Sequence, residues 1–450
     1  MREPVHTGET RPLAWRLQQL ERLGALLEQA REPLLQALAA DLGKPPVEAW
    51  MEWQSVQHEL RHTRRHLARW LRPRAAPLPA WLLPGRAAVH ADPLGCVLII
   101  GPWNYPFQLC LRPLVSALAA GNTAVLKPSE LAPHTAELIA ELVQDRFEPT
   151  VVQVVQGDAA VGARLLEERF DHIFFTGGSR VGRLVMAAAA RHLTPVTLEL
   201  GGKSPAIVLD AADLQASARR LVWGKGINAG QTCIAPDHLL VQPGIRGPLI
   251  EAMARECRRL YGDDPLASPD LAQIVDERQF DRLESLLQAP RQEGRILLGG
   301  RSDRANRRIE PTVIQVDQPE RDPLMQEELF GPLLPVLTVT SLEAALAQIR
   351  LRPSPLAIYL FGGSAAERRQ LLRGSRSGSV VFDDVILQAA APGLPFGGVG
   401  ESGMGAYHGE TGFRTFSQPR GVLDHPTWLD LPVRYPPYGG RLAWLQRLMG

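Results

Sequence analysis

Apolar positions near the start of the chain recur at helical spacing. Leu13, Leu17, Leu20, Leu27, Leu34 and Leu38 form one stripe between Pro12 and Asp41, and that period predicts long amphipathic helices ending near Gly43, with packing as their role. A proline-rich stretch over 73–84 then breaks helical structure and reads as an extended connector. From Gly95 the pattern changes to short apolar runs separated by helical segments, at 96–100, 123–126, 151–155, 172–175 and 196–200. This is the punctuation of a parallel sheet with helical crossovers. A second alternating series follows at 206–209, 238–241, 334–339, 357–361 and 379–382. The pattern therefore predicts two α/β domains with a boundary near Leu200.

Length agrees, because 450 residues exceed the size at which one hydrophobic core keeps growing. A formal net charge of +1 without basic runs argues against nucleic acid or an anionic membrane as the main partner, which leaves a small molecule. Cys96, Cys110, Cys233 and Cys257 lie far apart, with no zinc-type spacing and no disulfide framework, so no metal is expected and the reducing cytoplasm is the natural compartment. The first residues lack the apolar core of a signal peptide, and no run reaches the roughly 20 apolar residues that span a bilayer. Only four of the 49 basic residues are lysines: Lys44, Lys127, Lys203 and Lys225. A GC-rich genome accounts for that bias, yet three of the four fall in segments with candidate chemistry, where a compact ammonium fits and a planar guanidinium does not.

Two glycine-framed segments carry reactive groups: Thr197-Leu-Glu-Leu-Gly-Gly-Lys-Ser-Pro205 and Asn228-Ala-Gly-Gln-Thr-Cys-Ile-Ala-Pro236. The thiol of Cys233 can act as a nucleophile, and the carboxylate of Glu199 can activate a water to release whatever becomes bound to it. Together they imply acyl chemistry through a thioester. Cys96 and Cys110 sit in apolar contexts and read as inert core residues. Phe174-Phe-Thr-Gly-Gly-Ser-Arg-Val-Gly182 follows a strand and opens a helix, the setting in which a backbone approaches a pyrophosphate, although a plain strand-to-helix turn reads the same way. Lys127-Pro-Ser-Glu130 follows the 123–126 strand, where an ammonium and a carboxylate can meet ribose hydroxyls or simply pair at a helix start. Gly101-Pro-Trp-Asn-Tyr-Pro106 follows another strand. Its Asn104 is either an oxyanion donor or a turn asparagine.

Taken together, these segments resemble the aldehyde dehydrogenase superfamily over about 10–437. Phe170-Asp-His-Ile-Phe-Phe-Thr-Gly177, His192-Leu-Thr-Pro-Val-Thr-Leu-Glu-Leu200, Gly403-Met-Gly-Ala-Tyr-His-Gly409 and Arg434-Tyr-Pro-Pro-Tyr438 resemble its class 3 and fatty-aldehyde branch. The resemblance implies an α/β subunit in three parts. These are a Rossmann-like NAD(P) domain over 1–200, interrupted near 79–95 by a bridging arm, a catalytic domain over 201–400 carrying the thiol, and a bridging strand with a tail over 401–450 used in a homodimer. It implies Cys233 as nucleophile, Glu199 as general base, and Asn104 with the Cys233 N–H as oxyanion donors. Lys127 and Glu130 match ribose contacts, and Gly177, Gly178, Ser179, Arg180, Val181 and Gly182 match the dinucleotide turn. Glu328 and Phe330, within Met325-Gln-Glu-Glu-Leu-Phe-Gly-Pro332, match contacts near the nicotinamide.

The implied reaction oxidises medium or long aliphatic, or aromatic, aldehydes with NAD, NADP being a second option, and hydrolyses the thioester with water. An acylating type that passes the acyl group to coenzyme A is the alternative, with a non-catalytic binding protein on the same fold behind it. Gly226 stands where relatives carry a larger side chain, which predicts a wider or looser region near the thiol. Tyr105, Trp223 and Ile227 are the expected pocket walls. The terminal Leu442-Ala-Trp-Leu-Gln-Arg-Leu-Met449 is too short to span a membrane.

Overall fold

The computed structural model describes residues 1–430 and 432–449; Leu431 and Gly450, both within the expected 401–450 tail, lie outside the described residues. Two long helices open the chain, α1 (Leu13–Leu42) and α2 (Pro46–Trp70). Gly43 ends α1 in the left-handed region, at φ 59°, and its N–H donates to the Ala39 carbonyl. The Pro45-Pro46 pair then starts α2 at once, because proline suits the first turn of a helix. The 73–84 connector contributes a short strand, β1 (Arg74–Ala76), and leads into β2 (Arg86–Pro93).

The first α/β unit contains β3 (Cys96–Ile100), α3 (Pro106–Ala120), β4 (Thr123–Lys127), β5 (Val152–Val154), β6 (His172–Thr176), α4 (Ser179–Ala190) and β7 (Val196–Glu199). The chain then passes to a second set: β8 (Pro205–Val208), α5 (Leu214–Gly226), β9 (His238–Val241), α6 (Pro243–Tyr261), β10 (Ile296–Leu298), β11 (Thr312–Gln315), β12 (Leu333–Thr338), β13 (Ala357–Phe361) and β14 (Ser379–Phe382). Two strands follow, β15 (Gly403–Met404) and β16 (Ser417–Asp424).

The first sheet has the order β15-β7-β6-β3-β4-β5 and is parallel except for β15. Because β3 leads toward β4 on one side while β6 leads toward β7 on the other, the order reverses between β3 and β6. Their carboxyl ends therefore bound the crevice where open α/β sheets take ligands. The second sheet runs β10-β11-β12-β9-β8-β13-β14, with only β10 antiparallel. Its central strands β8, β9 and β13 are buried at every position, as expected for strands covered on both faces. A separate antiparallel sheet, β1-β2-β16, pairs Arg86–Pro93 with Ser417–Asp424 over eight residues and leaves seven of the eight β16 residues exposed.

The 401–450 stretch, expected to hold a bridging strand and a tail, contributes to three places in the structure. Gly403–Met404 pairs with β7 in the first sheet, Gly409–Thr415 forms a helix against α2 and α3, and only Ser417–Asp424 joins the arm. The strand β11 was not anticipated; its apolar content, Val313 and Ile314, is too short to show a period, and pairing with β12 makes it a strand.

Candidate active site

Glu199 is the last residue of β7, held by pairing with Gly403 and by its carbonyl accepting the Gly177 N–H at 3.0 Å. Its side chain is buried, and neither carboxyl oxygen has a hydrogen-bond partner among the described residues. Burial pushes the carboxyl well above the usual carboxylate range. Gly201 follows, and a Cβ there would stand 1.9 Å from Glu328 Oε2, so the missing side chain is what admits Glu328 to this place.

Cys233 lies beyond α5, after a left-handed turn at Asn228 (φ 50°), Ala229 (φ 50°) and Gly230 (φ 72°). Two of these are not glycine, so the turn is strained and needs external support. The support is a set of buried hydrogen bonds. Asn228 Nδ2 donates to the Asn104 carbonyl at 2.9 Å and the Gln231 carbonyl at 3.1 Å, while the Asn228 N–H donates to Glu48 Oε2 at 2.8 Å. Gln231 Nε2 donates to Gln273 O at 2.9 Å, and Gln231 Oε1 accepts the Val275 N–H at 3.0 Å. Of the four cysteines Cys233 alone is partly accessible. Burial raises its thiol, and the Glu328 and Glu199 carboxyls add to the effect; the backbone N–H groups of Cys233 and Ile234 act in the opposite direction.

Cys233 and Glu199 line the same largely apolar cavity, of about 310 Å³. Tyr105, Trp223 and Ile227 line it as well, and Trp50 and Met51 of α2 extend it toward solvent. Asn104 does not line this cavity. The structure places it against the Cys233 loop instead: it is buried, and its Nδ2 donates to the carbonyl of Gln231, two residues before Cys233, at 3.0 Å. A carboxamide carries two N–H donors, so one remains beyond that bond.

The expected widening at Gly226 is corrected by the structure. A Cβ at 226 would stand 1.8 Å from the hydroxyl oxygen of Tyr261, the last residue of α6. The tyrosine fills the space that a larger residue 226 would take, and Gly226 does not line the cavity.

The expected nucleotide contacts gather at the carboxyl edge of the first sheet. Lys127 ends β4, is buried, and donates at 3.0 Å both to the Pro128 carbonyl and to Glu130 Oε2, while the Glu130 side chain is 41% exposed. Gly177 lies over the Phe175 ring, where a Cβ would meet Cζ at 2.6 Å, and Gly182 packs on Leu200. Gly178 starts α4 with no side-chain cap and open space beside it. The first N–H groups of this twelve-residue helix thus face the crevice beside the sheet's switch point, which fits a pyrophosphate. Ser179 Oγ donates to the Glu401 carbonyl at 3.2 Å, and Arg180 and Val181 are exposed. Burial pushes Glu328 up to about 8. Phe330, at φ 48°, meets the Trp103 ring edge-on at 5.2 Å. Trp103 follows β3, so this loop crosses from the second sheet to the end of the first.

Sequence reasoning passed over the buried charges behind these segments. Lys203 and Asp237, four residues after Glu199 and Cys233 respectively, form a buried ion pair. Lys203 also donates to the Leu324 and Glu327 carbonyls at 2.8 Å, and Asp237 Oδ2 accepts the Leu329 N–H at 2.8 Å. That pair ties the Glu328 loop to both reactive segments; the presence of Lys203 among only four lysines was its one visible signal.

A two-sheet α/β subunit with an uncapped glycine turn at a switch point, and a thiol and carboxyl sharing one cavity, has the architecture of an enzyme that sets a dinucleotide beside a reactive cysteine. The chain belongs to the aldehyde dehydrogenase family, whose sequence profile matches residues 2–422. It is 44% identical over 444 residues to aldehyde dehydrogenase family 3 member B1 of Homo sapiens, covering 98% of this chain and 94% of that protein. It is 42% identical over 433 residues to the Rattus norvegicus protein named aldehyde dehydrogenase, dimeric NADP-preferring, covering 94% and 92%. Among solved structures it resembles the substrate-bound state of Staphylococcus aureus AldH, with a TM-score of 0.96, 38% identity, and coverage of 100% and 98%. The protein is thus an oxidoreductase of aldehyde dehydrogenase fold that uses NAD or NADP. Among the described residues no helix is long and apolar enough to cross a membrane.

Proposed function

We propose that the protein oxidises aldehydes with a medium or long aliphatic chain, or an aromatic group, to carboxylates, with Cys233 as nucleophile, Glu199 as general base and Asn104 as oxyanion donor. The observation that carries this reading is that Cys233 and Glu199 open into one apolar cavity, so a chain lying against Trp50 and Met51 brings its carbonyl between them.

The Cys233 thiolate adds to the carbonyl carbon, and the charge that builds on oxygen is met by the Cys233 N–H, with the remaining N–H of Asn104, which packs behind the Cys233 loop rather than in the cavity, as the second donor. A bound nicotinamide would supply the hydride acceptor for this oxidation. Lys127 and Glu130 would hold the adenosine ribose, the Gly177–Gly182 turn with Ser179, Arg180 and Val181 would hold the pyrophosphate, and Glu328 and Phe330 would hold the nicotinamide end. A thioester is left on Cys233. Glu199 as carboxylate takes a proton from water, the oxygen of that water attacks the thioester carbon, and the sulfur leaves as thiolate. The burial that raises Glu199 makes it a stronger base once ionised.

NAD is the preferred nucleotide in this reading, since Glu130 repels a 2′-phosphate, although Lys127 offsets part of that and the rat relative is named NADP-preferring. The exposed strand β16 supports pairing with a second copy, consistent with the word dimeric in that relative's name. Four free cysteines suit the reducing cytoplasm. A screen of purified protein with aldehydes of graded chain length and each nucleotide tests the reading. Reduced-nucleotide formation should strengthen with chain length without coenzyme A, whereas activity only with coenzyme A, consumed in step with the nucleotide, would replace hydrolysis by acyl transfer.

A further inference from the structure

The lysine that no motif absorbed is Lys44. It lies in the turn between α1 and α2, sixty residues before Asn104, yet its side chain and that of Glu52 are both 0% exposed. Its Nζ donates to Glu52 Oε1 at 2.9 Å and to the backbone carbonyl of Asn104 at 2.7 Å, and sits 4.0 Å from the centre of the Tyr105 ring. The other carboxylate oxygen of Glu52 accepts the N–H of Phe107 at 2.8 Å and of Gln108 at 2.9 Å, in the first turn of α3. One buried ion pair therefore grips the loop carrying Asn104 from both sides, by the carbonyl of Asn104 and by the N–H groups just after it. The same carbonyl accepts Asn228 Nδ2 from the Cys233 loop.

An ammonium has three donors in a tetrahedral array, and here carboxylate, carbonyl and ring face each take one direction; a planar guanidinium cannot meet that set. In a chain that uses arginine at 45 of 49 basic positions, the retained lysine marks a geometric demand. A buried ion pair adds little net stability over apolar residues of the same volume, so its worth lies in what it holds.

We propose that Lys44, paired with Glu52, is a positioning residue for Asn104, fixing the peptide whose side-chain amide meets the oxyanion. The inference rests on the reading of Asn104 as oxyanion donor. The test is a double-mutant comparison of kcat/KM for one aldehyde at saturating nucleotide, using Asn104→Ala, the charge-free pair Lys44→Met/Glu52→Gln, and all three together. The pair is chosen because glutamine still accepts the Phe107 and Gln108 N–H groups and neither charge of the ion pair is left without the other. It should lower kcat/KM by about 10- to 100-fold, leave nucleotide affinity by fluorescence titration unchanged, and change kcat/KM by less than about twofold once Asn104 is already alanine. Lys44→Arg, which keeps the charge, should also fall at least about tenfold.

Wild-type kcat/KM in the pair or in Lys44→Arg would overturn the inference, as would a pair effect that persists in full in the Asn104→Ala background. Full activity of Asn104→Ala alone would instead overturn the assignment of Asn104, a result that none of the Lys44 outcomes mimics.

Discussion

Gly226→Ala places a methyl group where Tyr261 already stands. The new Cβ would lie 1.8 Å from the tyrosine oxygen, 2.7 Å from Cζ and 3.1 Å from Cε2. Ordinary contact starts at 3.4 Å, so the hydroxyl must retreat by about 1.6 Å. Tyr261 is 7% exposed and packed in the core, which leaves little room to move. Overpacking of this kind costs about 1–3 kcal/mol, against at most about 1 kcal/mol gained by alanine over glycine at the end of α5. With that gain subtracted in full, the expected net loss is about 0–2 kcal/mol. Unfolding midpoints of the wild type, Gly226→Ala, Tyr261→Leu and the double variant read it out. Tyr261→Leu alone should lose about 2–4 kcal/mol as a large-to-small change, but in that background Gly226→Ala should be neutral or stabilising, a coupling of about 1–3 kcal/mol. An equal loss in both backgrounds would refute the filling of residue 226 by Tyr261. So would an unchanged midpoint with an altered aldehyde KM, the signature of an open pocket at that position.

Because burial raises both Cys233 and Glu199, their reactive ionised forms grow as pH rises, so kcat/KM and kcat should climb through the alkaline range. Glu199→Gln should keep a first burst of reduced nucleotide, slow the turnover that follows, and remove its dependence on pH. The same residue sets a stability test: its folded pKa lies above the unfolded value of 4.5, so its stabilising contribution is complete below that value and is lost as pH rises through the folded pKa. Glu199→Gln should therefore unfold at a higher temperature than wild type at pH 8–9, by the equivalent of about 1–2 kcal/mol; a lower midpoint would contradict the burial argument. Glu130→Gln should lower the KM for NADP by about three- to fivefold relative to NAD, a modest change because the carboxylate is partly exposed and screened.

Most strands of the two sheets were legible because their apolar runs are short, bounded by turn residues and ordered along the chain; 96–100, 238–241, 357–361 and 379–382 match the observed strands end to end, whereas β10, β11 and β15 are too short to show a period. The reactive segments were legible for a related reason. Glu199 and Gly177 stand at the ends of adjacent strands, and a strand end is something a local pattern can mark. What escaped depends on contacts between distant residues. Nothing near Gly226 announces Tyr261, thirty-five positions later on another helix, and nothing near Asn104 announces Lys44. The buried ion pairs Lys44–Glu52 and Arg112–Glu59 join charges of helices α2 and α3 and of the α1–α2 turn that look solvated in one dimension. Only the arginine bias hinted at Lys44, because a residue type kept against a strong compositional drift marks a place where shape matters.

The most direct test of a sulfur-bound acyl intermediate is mass spectrometry of Glu199→Gln quenched with acid after mixing with a long-chain aldehyde and NAD. The account predicts one acyl group per subunit, found on the peptide that contains Cys233 and absent when NAD is omitted. A burst of NADH with Cys233 unmodified, or with the acyl group on another residue, would contradict it.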